Sequence, residues 1–568
     1  MSAAKHKNAG FDGAVIPASS FAFDVKDANL ILAHLIFSFI ALFLGALAGL
    51  LQALVRAGYI VLPPMLDYYQ LLTAHGVLLA LVFTTFFIIG FLYSGVVKTL
   101  DGKMLASARS WAWWGFYLML AGTIMAAITI LTNDASVLYT FYAPLQASPW
   151  FYIGLVLVIV GSWFSSIAIF INYAYWRRTH KGEVSPLFAY MAVATMILWI
   201  IATIGVAVEV IFQLVPWSLG WTPRINVALS RALFWYFGHP LVYFWLLPAY
   251  IYWYVNVPRI IKGKVFSNTL PRLTFILFIL YSVPVGFHHQ LNEPGISNFW
   301  KFLQVVLTMI VVFPSLMTAF AIIGTFELAG RSQGAKGRFG WIRKLPWGDV
   351  RFLAPVLSML MFIPAGAGGI VNASYQMNQV VHNTLWVTGH FHLTLATSVV
   401  LTFFGISYWL IPVLTRRTLT PGANKLGIVQ SVLWIAGMLL LGITMHIVGL
   451  MGEPRRSSFS TYNDHATALS WLPYMYVIGI GGVLLFISVM LFLFAAVYLM
   501  YYAPRTDQPA EYPIGEVDES TQHPPLILER WSLWIAVTVV LVLVAYAVPI
   551  WHLMQTPLAT WSPPVRTW

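Results

Sequence analysis

Six of the 14 histidines lie where an uncoordinated histidine is costly. They fall within, or at the ends of, apolar segments long enough to cross a membrane: His75, His239, His288, His289, His390 and His392. An imidazole buried in hydrocarbon needs a hydrogen-bond partner or a metal. A single one is most often a polar contact between helices, but six on four segments predict a metal or cofactor centre, provided that they converge. We assign no role to His34, His446 and His552.

The spacing of these histidines divides them into groups. His390 and His392, in GHFHL, point about 200° apart on a helix, so they suit two cofactors on opposite faces. His288 and His289 are adjacent and can reach one ion if the helix is loosened at its end. Prolines on both sides of this pair favour such loosening.

A phenol accompanies the remaining histidine of the six. His239 and Tyr243 are one helical turn apart on the same face, and Pro240 frees backbone groups there. The chain has no cysteine, which excludes thiolate metal sites, iron–sulfur clusters and covalently attached haem. Imidazole ligands alone suit haem iron, copper or zinc. Six would supply two axial ligands of one haem, one of a second haem, and three of a non-haem metal.

The composition is that of a polytopic membrane protein. Of its 568 residues, 60% are hydrophobic and 9% are charged, against roughly 25% charged in soluble proteins. Residues 1–28 are a polar N-terminal segment without the features of a signal peptide, and residues 29–568 form one membrane domain with a hydrophilic loop at 503–530. The expected fold is all-α, with about 13 transmembrane helices of about 20 residues or more. They lie near 30–54, 71–96, 111–131, 150–175, 187–215, 229–256, 272–290, 301–328, 352–372, 384–413, 426–450, 472–502 and 531–553.

The distribution of basic residues predicts the orientation. If the loops alternate from a cytoplasmic N-terminus, most of the 31 Lys and Arg residues fall on the cytoplasmic side. The net charge of +12 is then a topology signal rather than a nucleic-acid-binding surface. In this orientation the second, sixth and tenth helices run inward and the seventh runs outward, which places all six histidines in the outer half of the membrane.

Seven motifs follow one another along the chain: HGVLLALVF, GHPLVYFWLLPAY, PVGFHHQ, PSLMTAF, GGIVNAS, VVHNTLWVTGHFHL and GEPRR. Together they resemble subunit I of the haem–copper oxygen reductases, and in detail the B-type members. The resemblance covers nearly the whole chain. It implies a terminal respiratory oxidase, a cytochrome c oxidase that reduces dioxygen to water at a high-spin haem and copper B and pumps protons.

The resemblance assigns ligands to two haems. His75 and His392 would be the axial ligands of a low-spin haem b, and His390 the proximal ligand of a high-spin, a-type haem. Haem propionates pointing outward would meet polar residues in the outer loops, where arginine pairs well with carboxylates. The expected propionate residues are His382, Arg455, Arg456, Tyr139 and Tyr142.

The resemblance also implies a copper centre and a proton path. His239, His288 and His289 would hold copper B, and Tyr243, cross-linked to His239, would supply an electron and a proton when the O–O bond breaks. A single cytoplasmic proton path would follow one stripe of the sixth helix and part of the eighth: Tyr243, Tyr250, Tyr254, Ser315 and Thr318.

The expected partners follow from what the chain lacks. Without cysteine it cannot hold copper A, so electrons would come through a subunit II with a copper A cupredoxin domain, fed by cytochrome c. A quinol-fed form stays open, and the family also suggests a small single-helix subunit. The expected location is the cytoplasmic (inner) membrane of a bacterium or archaeon, in contact with the lipid bilayer and with no nucleic acid.

Three positions depart from the family or lack a role. Leu241 stands where most A-type oxidases have glutamate, which supports a single proton channel. Asn378 stands where one B-type member has aspartate, which puts in doubt a proton-loading acid at that position. The role of the intramembrane Glu209 stays open.

Two other functions compete with oxygen reduction. Nitric oxide reductases share the fold, but they use non-haem iron with an added glutamate and lack the histidine-linked tyrosine, so Tyr243 argues against them. A transporter with a histidine-lined pore predicts polar, broken helices at mid-membrane and no haem, and it leaves the GHFHL and HH motifs unexplained.

Overall fold

The computed structural model describes residues 23–506, 511–517 and 523–566. Most of the predicted N-terminal segment 1–28 and parts of the loop 503–530 lie outside these ranges. Within them the regular structure is helical, and β structure is limited to isolated bridges. The expected all-α fold is therefore confirmed for the described residues.

In the described residues, thirteen long helices correspond in order to the predicted segments. Twelve of them are long and apolar enough to cross a membrane. The other, α6, contains two internal prolines and many aromatic residues, which lower its mean hydropathy. The helices are α1 Val25–Arg56, α2 Tyr68–Thr99, α3 Ala106–Leu131, α4 Pro149–Thr179, α5 Leu187–Ser218, α6 Val227–Ile251 (continued by turns to Ile260), α7 Thr269–Ser282, α8 Asn298–Ser332, α9 Val350–Ala373, α10 Leu385–Thr415, α11 Pro421–Leu450, α12 Ala466–Tyr502 and α13 Trp531–Met554.

The start of α2 is fixed by a capping box. The Asp67 carboxylate accepts from the backbone N–H of Gln70, and the Gln70 side chain accepts from the N–H of Asp67. The Gln70 amide also donates to the carbonyls of Ile130 and Leu131, both at 2.9 Å. These are among the last carbonyls of α3, which have no partner within that helix. One side chain thus joins two helix ends close to the turn that carries His75.

The helices that carry histidines depart from regular α geometry near them. A π-helical segment, Val77–Phe83, directly follows the turn of His75, and another, His392–Val399, begins at His392. Such segments are common at functional sites, because the extra residue rotates the side chains that follow. The part of α10 that follows these histidines, residues 397–414, is entirely buried within the protein, so α10 is a central helix of the bundle.

Candidate metal centre

One cavity collects most of the predicted ligands. His75, His289, His390 and His392 line it, and His289 is in ring contact with His239 and His288. The structure therefore brings all six histidines together, from α2, α6, α10 and the segment after α7.

His75 and His392 face each other as a pair. Their ring centroids are 6.2 Å apart and their planes differ by 14°. The Nδ1–H of His75 donates to the Gly45 carbonyl at 2.9 Å, and that of His392 donates to the Thr388 carbonyl at 2.8 Å. These bonds set the tautomer and leave each Nε2 available to a metal. With metal–nitrogen distances of about 2 Å, two imidazoles on opposite sides of one iron would have centroids about 6 Å apart, so the pair fits a bis-histidine haem.

His390 stands apart from this pair on the other face of α10. Its Nδ1 lies against α9, where a Cβ added to Gly368 would approach it to 2.5 Å. The Trp386 ring lies nearly parallel to the His390 ring, at 6.0 Å between centroids. The same cavity is lined by His289 and Trp235, whose rings stack at 3.9 Å. A flat cofactor ligated by His390 alone therefore shares its cavity with a member of the three-histidine cluster.

The other three histidines form a compact nitrogen cluster. One ligand atom from each of His239, His288 and His289 lies within 4.8 Å of the others. The His239 Nδ1 is 3.3 Å from the His289 Nε2, and two ligands about 2 Å from a tetrahedral metal ion are also about 3.3 Å apart. The His288 Nδ1 is 3.0 Å from the Thr308 hydroxyl, which leaves its Nε2 free. Three imidazoles in this arrangement suit copper or zinc.

The segment that carries two of these ligands is not part of a regular helix. α7 ends at Ser282, and His288 and His289 lie in a 3₁₀ turn, Phe287–Gln290. The expected loosening of the helix end is therefore present, and it allows adjacent histidines to approach the same point.

Tyr243 is next to the cluster. Its ring centroid is 5.1 Å from that of His239, at an interplanar angle of 68°. The His239 Nε2 is buried and has no hydrogen-bond partner. Because Nδ1 faces His289, Nε2 is the free nitrogen of this ring.

A group of polar side chains that includes two guanidinium groups adjoins the cavity. His382, Arg455, Arg456 and Tyr139 line it, whereas Tyr142 lies behind them, with its ring 5.2 Å from the Arg456 guanidinium. Burial and the adjacent Arg456 lower the pKa of Arg455 to about 10. Burial and Arg455 lower the pKa of His382, whose Nε2 has no hydrogen-bond partner. Neighbouring positive charges in partial burial fit an anionic group such as a carboxylate.

The predicted proton-path residues are only partly connected. The Tyr250 hydroxyl is 3.5 Å from the Ser315 hydroxyl, across α6 and α8. The hydroxyl of Thr318 donates to a carbonyl of its own helix, and it also lies close to the hydroxyls of Tyr250 and Tyr254. The ring of Phe278 lies 5.2 Å from that of Tyr243 and 5.7 Å from that of Tyr250. Tyr250 and Ser315 are therefore in contact, whereas the apolar ring of Phe278 lies beside both Tyr250 and Tyr243, between which a proton would have to move.

Sequence reasoning missed polar residues that support the site. Thr308 contacts His288, and it lies seven residues before Ser315, on the same stripe of α8; this heptad spacing was a usable signal. Arg56 donates to Glu453, the glutamate of the GEPRR motif, at 2.7 Å in a buried ion pair. Nothing in the sequence links those two positions, which are far apart in the chain.

Three other intramembrane polar residues, His34, His446 and Glu209, each have one local partner. The His34 Nδ1 donates to the Leu30 carbonyl at 2.8 Å, as a structural histidine would. The His446 Nδ1 donates to the Gly442 carbonyl at 2.6 Å. The Glu209 carboxyl is fully buried and accepts from the Ser230 hydroxyl at 2.7 Å.

Comparisons with known proteins agree with this geometry. Residues 29–484 match the family described as Cytochrome C and Quinol oxidase polypeptide I. Cytochrome c oxidase subunit 1 of Thermus thermophilus is 40% identical over 537 residues, which are 92% of this chain and 94% of that one. The protein of the same name from Thermostichus vulcanus is 26% identical over 91% of each chain. A cryo-EM structure of a heme-copper terminal oxidase dimer is 34% identical, has a TM-score of 0.89 and covers 95% of both chains.

Proposed function

The chain belongs to the cytochrome c and quinol oxidase subunit I family, and on this premise we propose that it is the catalytic subunit of a respiratory oxidase that reduces dioxygen to water. One observation carries the proposal. A histidine pair at 6.2 Å, a separate histidine on the other face of the same helix, and a cluster of three share one cavity region. A pore or a purely structural role needs no such division of imidazoles.

Each group of histidines holds one cofactor in this proposal. His75 and His392 ligate a low-spin haem b, and His390 ligates an a-type, high-spin haem. The cluster His239, His288 and His289 holds copper B. When bound, these groups accept, store and deliver the electrons that oxygen reduction requires.

Tyr243 supplies a proton and an electron next to the metals. Its phenol ring contacts the His239 ring, and the His239 Nε2 has no hydrogen-bond partner, which supports a covalent bond between this nitrogen and a ring carbon of Tyr243. Forming that bond removes one N–H and one C–H hydrogen, and the two electrons and two protons released would go to dioxygen, the oxidant that the proposed activity supplies. The bond fixes the phenol beside the cluster. Mass spectrometry of a protease digest tests this point: the peptide that contains both residues should be lighter than its linear sequence by two hydrogen atoms, and the unmodified mass would refute the bond.

Protons reach Tyr243 from the cytoplasmic side along α6 and α8. The Tyr250–Ser315 contact supports one step of this path, and Tyr254 and Thr318 lie further along it. The Phe278 ring adjoins both Tyr243 and Tyr250, so protons must pass around it through water molecules. Coupling of this uptake to outward proton pumping is part of the proposal.

The group of polar side chains in the outer loops holds the haem propionates. Arg455 and Arg456 offer two guanidinium groups at the cavity wall, and His382 adds an unpaired ring nitrogen. Tyr139 lines the same wall, and Tyr142 supports Arg456 from behind.

The assembly and location follow the B-type pattern. We propose a subunit II with a copper A cupredoxin domain as the immediate electron donor, cytochrome c as its reductant, and a small single-helix subunit. The multi-pass chain lies in the cytoplasmic membrane of a bacterium or archaeon, surrounded by lipid.

The first experiment is spectroscopic. Reduced-minus-oxidised spectra of the purified protein, with and without carbon monoxide, are combined with haem extraction and metal analysis. We expect two chemically distinct haems, one of which binds carbon monoxide, and one copper in the isolated chain. A protein without haem after expression with full haem supply would refute the proposal. Turnover with quinol but not with cytochrome c would show that quinol, and not cytochrome c, is the electron donor.

A further inference from the structure

The first turns of α8 present one polar stripe to the segment that carries His288 and His289. Lys301, Gln304 and Thr308 are spaced by three and four residues, so they lie on one face of the helix. The Lys301 ammonium donates to the carbonyls of Leu291 and Glu293 at 2.9 and 2.6 Å. The stripe therefore contacts the segment at both of its ends and, through Thr308, at His288 itself.

Gln304 makes the contacts that secure the beginning of this segment. Its side-chain oxygen accepts from the backbone N–H groups of Gly286 and Phe287, both at 2.7 Å. Its amide nitrogen donates to the Ala545 carbonyl of α13 at 3.2 Å. The side chain is completely buried, so these hydrogen bonds have no competition from water.

The backbone groups that Gln304 bonds lack partners for identifiable reasons. The two N–H groups follow the end of α7 at Ser282, so they make no helical hydrogen bond. The carbonyl of Ala545 would accept from residue 549, but that residue is Pro549, which has no N–H. One amide therefore satisfies free groups on two elements and joins them.

We propose that Gln304 is a positioning residue for the three-histidine metal site. It holds the turn Phe287–Gln290 against α13, and it thereby fixes the direction from which His288 and His289 approach the metal. α13 is then part of the metal-site support, although none of its residues lines the cavity. This inference rests on the proposed function, because it takes the cluster to be a copper site.

Ring packing on the same side supports this role. Phe287 packs against Tyr546 of α13 at 4.9 Å between ring centroids. A Cβ added to Gly286 would lie 2.4 Å from the Trp235 carbonyl and 2.5 Å from the Tyr546 hydroxyl. The turn is therefore closely confined between α6 and α13, and Gln304 is the side chain that bonds its backbone.

The test compares copper retention in the purified, haem-loaded protein. Gln304→Leu removes all three hydrogen bonds, Gln304→Asn shortens the side chain so that it cannot reach both elements, and Gln304→Glu keeps the acceptor for the two N–H groups. Gln333→Leu is the matched control, because Gln333 caps the C-terminal end of the same helix and donates to two carbonyls remote from the site. Each protein is titrated with a copper(I) chelator, and copper per haem iron is measured by mass spectrometry.

We expect Gln304→Leu and Gln304→Asn to bind copper about 10- to 100-fold more weakly, as when a residue that orients metal ligands is lost. Gln304→Glu, which keeps the acceptor for the two N–H groups but loses the donor to the Ala545 carbonyl, should retain only part of the affinity, and Gln333→Leu should match the wild type. The infrared band of carbon monoxide on the copper should broaden in the Leu and Asn variants. If the Leu variant does not fold, the inference is tested with the milder Asn variant alone.

Wild-type affinity and an unchanged band in Gln304→Asn would overturn the inference. If the wild type itself held no copper or haem, the proposed function would fail instead. The two failures are thus distinguishable.

Discussion

A buried ion pair anchors the last helix to the rest of the chain. Arg272, at the start of α7, and Glu529, just before α13, are 2.5 Å apart and only 1% and 4% exposed. The Arg272 guanidinium also donates to the Ser185 carbonyl, and the Tyr173 hydroxyl donates to the Glu529 carboxylate at 3.1 Å. Because Gln304 connects α13 to the metal-ligand turn, this anchor also bears on the site.

We predict that Arg272→Met loosens the segment that precedes α13. Removing one partner of a buried ion pair costs about 3–5 kcal/mol, because the other charge stays buried. Here Glu529 keeps the Ser185 and Tyr173 hydroxyls and has Arg177 at 3.8 Å. The expected cost is therefore near the lower end of that range, about 3 kcal/mol. It corresponds to roughly a hundredfold increase in the equilibrium constant for local unfolding of this segment.

Hydrogen exchange measures this opening directly. The amides of Leu528 and Arg530 donate to carbonyls within their own segment, so their exchange reports its local unfolding. We expect exchange in a peptide covering 523–530 to accelerate roughly a hundredfold in Arg272→Met. The exposed pair Arg331–Glu327 on α8 is the control. Arg331→Met should change hydrogen exchange in the surrounding part of α8 by less than about threefold.

A double-mutant cycle distinguishes the pair from general damage. The combination of Arg272→Met with Glu529→Gln should cost less than the sum of the two single changes, because the uncompensated charge is then gone. Unchanged exchange in Arg272→Met, or additive costs in the cycle, would refute the reasoning.

Three further predictions concern the site itself. His392→Ala should lose the low-spin haem and keep the haem that binds carbon monoxide, as seen in reduced-minus-oxidised spectra; loss of carbon monoxide binding instead would reverse the assignment. Tyr250→Phe should slow proton uptake from the cytoplasmic side of vesicles by roughly a hundredfold, the lower end for a lost proton donor, and normal uptake would exclude this tyrosine from the path. Gly449→Ala places a Cβ 2.1 Å from the Trp386 backbone nitrogen, so it should cost about 1–3 kcal/mol and lower haem content by displacing the first turn of α10. Gly422→Ala, where the added carbon meets nothing within 4 Å, should leave thermal stability and haem content unchanged.

The histidine groups could be predicted because they depend on local spacing and on depth in the membrane. His390 and His392 point to opposite faces of any helix, whatever surrounds it. The apolar run lengths gave the order of the helices because backbone hydrogen bonds in lipid must be satisfied within each segment. That order, together with the basic loops, was enough to place His75 and His392 at the same depth.

The rotation of each helix about its axis was decided by tertiary packing. Most membrane helices are apolar on all sides, so their sequences do not show which face meets which neighbour. The approach of Phe278 to Tyr243 and Tyr250 therefore appears only in the folded chain.

The amino-acid sequence by itself determined the fold class, the helix order and the division of the six histidines, because each of these depends on residue type and short-range spacing. Only the tertiary structure decided how the metal-ligand turn is held. Gln304 bonds groups 18 residues before it and 241 residues after it. Those groups are free because α7 ends at Ser282 and because Pro549 lacks an N–H. The end of α7 and the proline can both be read from the sequence. That one side chain bonds the free groups at both places depends on the packing of α7, α8 and α13.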